Sequence, residues 1–116
     1  ILHANELSRR LQEEGANLAV NSLHPGLILT NISRHMGLNG VVLSLARLAK
    51  PIFRSMPQGA STTCYLALHP GAENVSGKYF ADCNEATPTS YARDGDLAKR
   101  LWDFSDHLVE KFKRPT

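Results

Sequence analysis

Apolar and polar positions along the chain follow two different periods, and their succession predicts an α/β protein. Leu2, Leu7 and Leu11 recur near helical spacing, with Glu6, Arg9, Arg10 and Glu13 on the other side and Gly15 as a stop. That is the end of an amphipathic helix. Asn17 to Leu23 is short, mixed and bounded by Gly15 and Pro25, which predicts a central parallel strand marred by Asn21. Residues 31–40 lack a firm period and read as a loop or short helix. Val41 to Met56 places Val42, Leu45, Leu48, Ala49, Ile52 and Phe53 among spaced positive charges, an amphipathic helix bent at Pro51. Pro57 then opens a helix that Pro70-Gly71 closes, with Ala60, Cys64, Ala67 and Leu68 as a small-residue face for packing on a sheet.

Gly77 to Cys83 is predicted as a second strand, so strand, helix and strand form a right-handed crossover between parallel neighbours. Glu85 to Tyr91 holds Pro88 and three hydroxyl residues and reads as a loop. Asp94 or Asp96 is expected to cap a last helix whose Leu97, Leu101, Phe104, Leu108 and Phe112 form one face, buried against the body of a larger protein. The tail from Lys113 to Thr116 is expected to fray.

Composition narrows the function classes. At 116 residues and 42% hydrophobic content the chain suffices for one small globular unit. Thirteen basic against eleven acidic side chains leave a formal charge of +2, and no aromatic-interleaved basic stripe occurs, so nucleic acid is not an expected partner. Arg47, Lys50 and Arg54 interrupt the longest apolar stretch before it reaches the ~18 residues of a membrane span. Cys64 and Cys83 form no C-x-x-C pair and read as free thiols, Cys64 in the core and Cys83 at a strand end. His3, His24, His35, His69 and His107 are scattered without metal-ligand spacing, so no metal site is assigned, and His24 is read as a turn residue or as a hydrogen-bond donor behind the site. Asn31-Ile32-Ser33 and Asn74-Val75-Ser76 match the short glycosylation pattern, which recurs by chance.

Candidate chemistry centres on Leu23-His24-Pro25-Gly26-Leu27-Ile28-Leu29-Thr30. Proline sets a rigid φ without an N–H, glycine lets a flat ligand approach the main chain, and open α/β sheets bind ligands at the carboxyl ends of their strands. The run Val20 to Thr30 resembles the segment after the sixth strand of short-chain dehydrogenases/reductases, where Pro-Gly-x-x-x-Thr touches the nicotinamide half of NAD(P). Ile1 to Leu7 is similar to the segment just downstream of that family's active-site lysine, and Gly77-Lys78-Tyr79-Phe80 to its last strand. The resemblance covers nearly the whole chain and is closest to the retinol-dehydrogenase-like branch, with its plant member associated with the chloroplast protein translocon.

The resemblance implies the C-terminal part of a Rossmann-type doubly wound parallel sheet, about two parallel strands with flanking helices. Residues 1–30 would supply a helix end, a strand and the nicotinamide-wall turn, 31–70 a substrate lid and crossover helix, and 71–116 the last strand and C-terminal helix. Pro25, Gly26 and Leu27 would shape the nicotinamide wall, the Ile28 backbone would hydrogen-bond the carboxamide, and Thr30 would bind the carboxamide or a phosphate. The implied cofactor is NADP or NAD, weakly held by these residues alone, and the apolar lid suits a small lipophilic alcohol or carbonyl. A homo-oligomer, and a chloroplast inner-envelope or cytoplasmic location, are compatible with the resemblance.

No catalytic residue is assigned. Tyr65, Tyr79 and Tyr91 all lack a lysine four positions on, and no G-x-G-x-x-G spacing occurs. Beginning on Ile1 within an expected helix, the chain reads as a larger enzyme's C-terminal portion, inactive alone. The alternative is a non-enzymatic interaction module, either a truncated subunit or a partner helix for calmodulin over 97–114, where Trp102, Phe104, Leu108 and Phe112 lie among basic residues.

Overall fold

A computed structural model describes residues 1–28 and 54–113. Expectations for 29–53, including Thr30 and the lid, and for 114–116 lie outside the described residues. The rest form three α-helices and a three-stranded mixed sheet, which bears out the α/β class.

Helix α1, Leu2–Glu13, ends as its glycine predicts. Gly15 takes φ +69°, and the amides of Gly15 and Ala16 donate to the carbonyls of Gln12 and Leu11 at 3.1 and 2.9 Å. This bond pattern satisfies the last carbonyls and needs a left-handed residue there. One expectation fails: Glu6 does not face water but is 2% exposed. Arg9 and Arg10 close over it, so its carboxylate is enclosed by charge rather than hydration.

Strand β1 is Ser22–His24, shorter than the expected 17–23. The Leu18 amide turns back to the Ala16 carbonyl at 2.9 Å and Leu18 is exposed, so pairing upstream of Ser22 is limited to irregular links such as Gly77 N–H to the Val20 carbonyl at 2.7 Å. Asn21 belongs to the sheet through its side chain: its amide donates to the Val75 carbonyl at 2.7 Å, and its oxygen accepts from Lys78 N–H at 3.0 Å. Strand β2, Tyr79–Ala81, lies parallel to β1 with Leu23 opposite Phe80, as the crossover requires. It too is shorter than the predicted 77–83, because Asp82 and Cys83 adopt φ +56° and +60° and turn the chain back. Strand β3, Asn84–Glu85, then pairs antiparallel with β2, where a loop was expected. Two consecutive left-handed residues match the twist of a two-residue hairpin.

Helix α2, Met56–Leu68, connects the parallel strands. Ser55 Oγ accepts from Gln58 N–H while Gln58 Oε1 accepts from Ser55 N–H, a reciprocal cap with Pro57 in the first turn. Residues 54–56 therefore do not continue a helix from Val41: Arg54 is extended, Ser55 caps and Met56 starts α2. The buried face of α2 is Gly59 and Thr62, not the expected Ala60, Cys64, Ala67 and Leu68; Cys64 is exposed and Leu68 is 82% exposed. Bare Gly59 lets Ile28 sit against the helix backbone, which sets the face. Phe80 is buried at 4% exposure, with Tyr65 6.1 Å away between ring centres.

Helix α3, Gly95–Phe112, is capped by Asp94, whose Oδ1 accepts from Leu97 N–H at 2.9 Å. It meets α1 through mixed contacts: Arg10 lies over the Trp102 ring, His3 meets that ring edge-on, and His3 Nε2 lies 3.1 Å from Ser105 Oγ. Of the expected buried stripe, Leu97 and Leu101 are half-buried, whereas Phe104, Leu108 and Phe112 are exposed. Docking on α1 rotates Trp102 inward and turns those three out. Among the described residues no helix is long and apolar enough to cross a membrane.

Candidate functional site

The parallel register sets His24 level with Ala81, so β1 and β2 end together and the turns after them lie at one sheet edge. At the end of β1 come Pro25 and Gly26, the latter at φ +84°, a region natural to glycine. A Cβ on Gly26 would fall 2.6 Å from Arg54 Cδ, so the space the glycine leaves is filled by the arginine stem.

Leu27 and Ile28 continue the chain in extended form. Arg54 N–H donates to the Leu27 carbonyl at 2.8 Å, forming a parallel bridge opposite Ile28. Among the described residues the Ile28 N–H and carbonyl make no backbone hydrogen bond. The Ile28 side chain packs where a Gly59 Cβ would otherwise stand, and Leu27 is 57% exposed.

At the end of β2, Asp82 Oδ2 is 2.7 Å from Arg54 Nη2. The next residue, Cys83, donates its N–H to Thr62 Oγ1 at 3.2 Å, and Thr62 is 2% exposed on α2. Cys83 Sγ lies 3.6 Å from Ser61 Oγ. The edge is thus one connected unit from the Pro25-Gly26 turn through Arg54 and Asp82 to Thr62. Sequence reading singled out the turn but not Arg54, Gly59, Thr62 or Asp82; a glycine inside an otherwise regular helix was the one available signal.

Pro25, Gly26, Leu27 and Ile28 are brought together, while Thr30 lies outside the described residues. Exposed apolar Leu27, beside an Ile28 amide that makes no backbone hydrogen bond among the described residues, offers the chemistry that a flat ring carrying a carboxamide would need. His24 is exposed at the end of β1 and joins no cluster; among the described residues no three His, Cys, Asp or Glu side chains converge on a metal position. A cleft of about 280 Å³, lined by Asn5, Lys78, Tyr79, Glu85 and Arg93, opens at the opposite end of β2.

The one strongly displaced carboxyl among the described residues lies away from this edge. Hydrogen bonds from Arg9 first and then Arg10 hold the Glu6 carboxyl down to about 2. Its partner Arg9 is pushed further up, chiefly by the same bond.

No family model matches the chain. Individual proteins do. It is 56% identical over 110 residues to short-chain dehydrogenase TIC 32 A, chloroplastic, of Brassica napus, covering 95% of this chain and 34% of that protein. It is 44% identical over 114 residues to retinol dehydrogenase 14 of Homo sapiens, covering 97% and 33%. With the WW domain-containing oxidoreductase of Danio rerio it shares 39% over 116 residues, covering 99% and 27%. The chain spans about a third of the length of the first of these relatives.

Proposed function

Because this chain belongs to the short-chain dehydrogenase/reductase family, we propose that it supplies the nicotinamide-facing wall of an NAD(P)(H)-dependent oxidoreductase acting on a lipophilic alcohol or carbonyl. The observation that carries this reading is the Pro25–Ile28 turn at the carboxyl end of a parallel strand, held from behind by Arg54 and presenting Leu27 and the Ile28 amide. Ligands of open α/β sheets lie at such edges.

When bound, the dinucleotide supplies or accepts the hydride. The residues of this chain hold it: Pro25, Gly26 and Leu27 form the wall, Ile28 offers its backbone to the carboxamide, and Thr30 supplies a hydroxyl. Residues 1–30 carry that wall, 31–70 cover the substrate, and 71–116 complete the sheet and its last helix. Proton exchange falls to a Tyr-x-x-x-Lys pair that these 116 residues do not contain. In keeping with the plant relatives' names, the reading favours a chloroplast setting.

The test is a titration with NADPH and NADH, followed by turnover of retinal and a long-chain aldehyde. The 116 residues alone should bind weakly and turn over neither, and the same residues preceded by a Tyr-x-x-x-Lys segment should turn over at least one. Turnover by the 116 residues alone would refute the division of labour.

One observation favours a second reading, a helix offered to a partner such as calmodulin over 97–114. Phe104, Leu108 and Phe112 stand exposed one turn apart on α3. Calcium-dependent retention on calmodulin, lost in Phe104→Ala, would support it.

A further inference from the structure

The Pro25-Gly26 turn has no means of its own to hold a fixed position: Pro25 lacks an N–H, Gly26 lacks a side chain, and Pro25 and Leu27 are exposed. Among the described residues, besides the packing of Ile28 on Gly59, the contacts that fix it come from Arg54, at three levels. The Arg54 main chain donates to the Leu27 carbonyl at 2.8 Å. Its stem lies against the bare face of Gly26, with Cδ and Nε 2.6 and 2.9 Å from where a Cβ would stand. Its guanidinium reaches across to Asp82 at 2.7 Å.

Asp82 is itself a firm anchor. It begins a two-residue turn with both members left-handed, and that turn is pinned to α2 because Cys83 N–H donates to buried Thr62 Oγ1. Asn84 Nδ2 donates to the Asp82 carbonyl at 2.7 Å, closing the turn on itself. We propose that Arg54 is the positioning residue of the dinucleotide wall, and that its pairing with Asp82 sets the height of the Pro25-Gly26 turn above the sheet edge. This rests on the reading of that edge as a nicotinamide wall. Both partners are partly exposed, so the pair adds little to global stability and acts locally on the turn. A planar fork also fixes the stem's direction in a way that an ammonium does not.

The experiment uses the full-length protein and compares Arg54→Met, Arg54→Lys and Asp82→Ala. Two readouts are taken: NADPH affinity from nicotinamide fluorescence, and hydrogen exchange at the Arg54 amide, which donates to the Leu27 carbonyl. Misplacing a binding wall by a fraction of an ångström should weaken the dinucleotide by about tenfold in Arg54→Met and Asp82→Ala, with partial recovery in Arg54→Lys. Exchange at the Arg54 amide should quicken by a similar factor while Tm stays within a few degrees. The Arg54→Met, Asp82→Ala double variant should be no weaker than either single one. Unchanged affinity and exchange in both single variants overturn the proposal. A wild-type protein that binds neither dinucleotide removes the nicotinamide reading and with it the wall's role, while the exchange rates still report whether Arg54 fixes the turn.

Discussion

The guanidinium carbon of Arg10 sits 4.8 Å from the centre of the Trp102 ring, joining the first and last helices through a cation over an aromatic face. His3 meets the same ring edge-on at 5.4 Å, and Arg10 Nη2 reaches Asp103 at 3.4 Å. Trp102→Ala removes the surface on which both α1 side chains rest. The expected loss is about 2 kcal/mol, between a cation–π contact and a full core truncation. Trp102→Phe should recover roughly half of it. Urea unfolding of the three proteins checks the order, and equal midpoints would show that the ring is not a structural contact.

The second expectation concerns acid. The Glu6 carboxyl, ordinarily near 4.5, is held at about 2 by Arg9 and then Arg10. A lowered folded-state pKa means that the stabilisation is complete above the unfolded value and is lost as pH falls through the folded one. Thermal stability should therefore decline between about pH 5 and 2. Glu6→Gln should be less stable at pH 7 and show a flatter profile over that window. Parallel profiles for the two proteins would contradict the assignment.

Gly26 and Gly15 provide an internal comparison. Both are left-handed, at φ +84° and +69°, but a Cβ on Gly15 meets nothing whereas one on Gly26 meets the Arg54 stem. Replacing either with alanine costs about 1 kcal/mol for the backbone alone. Only Gly26→Ala should also displace Arg54, seen as faster exchange of its amide. Identical local exchange in the two variants would mean that the stem moves aside freely.

Thr62 holds the Cys83 amide from inside α2. Thr62→Val keeps the shape and leaves that N–H without its acceptor, at a cost of about 1–3 kcal/mol, whereas Thr62→Ser retains the hydroxyl and should lose less. Differential scanning calorimetry distinguishes them, and a valine variant as stable as wild type would mean that water reaches Cys83.

How far the sequence disclosed this arrangement depended on the range of the signal. Local signals were sufficient: Gly15 stops α1, Pro57 stands in the first turn of α2, Asp94 caps α3, and strand–helix–strand order placed β1 and β2 parallel. Long-range ones were not. Arg54 reads as one more positive charge on a helix, and only its pairing with Leu27 and Asp82, 27 and 28 positions away, makes it part of the edge. Glu6 was misplaced because periodicity assigns faces without knowing that two arginines can cover a carboxylate. Phe104, Leu108 and Phe112 belong to a stripe expected to pack on the body of a larger enzyme; within these residues α1 covers Trp102 and leaves those three exposed. The turn residues Pro25 to Ile28 stood out through resemblance, since turn chemistry by itself explains proline and glycine.

Asn21 has a consequence of another kind. Peptide rungs of a sheet survive almost any substitution, because every residue but proline brings the same N–H and carbonyl. Upstream of Ser22, beside the backbone bond from Gly77 N–H to the Val20 carbonyl at 2.7 Å, two further links are made by a carboxamide that copies a peptide group, giving to Val75 and taking from Lys78. It is a piece of sheet written in a side chain, and so it is heritable in a way the others are not. Aspartate would keep the acceptor and lose the donor, and leucine would erase both. A single codon therefore decides whether these two links reinforce the parallel pair on its upstream side.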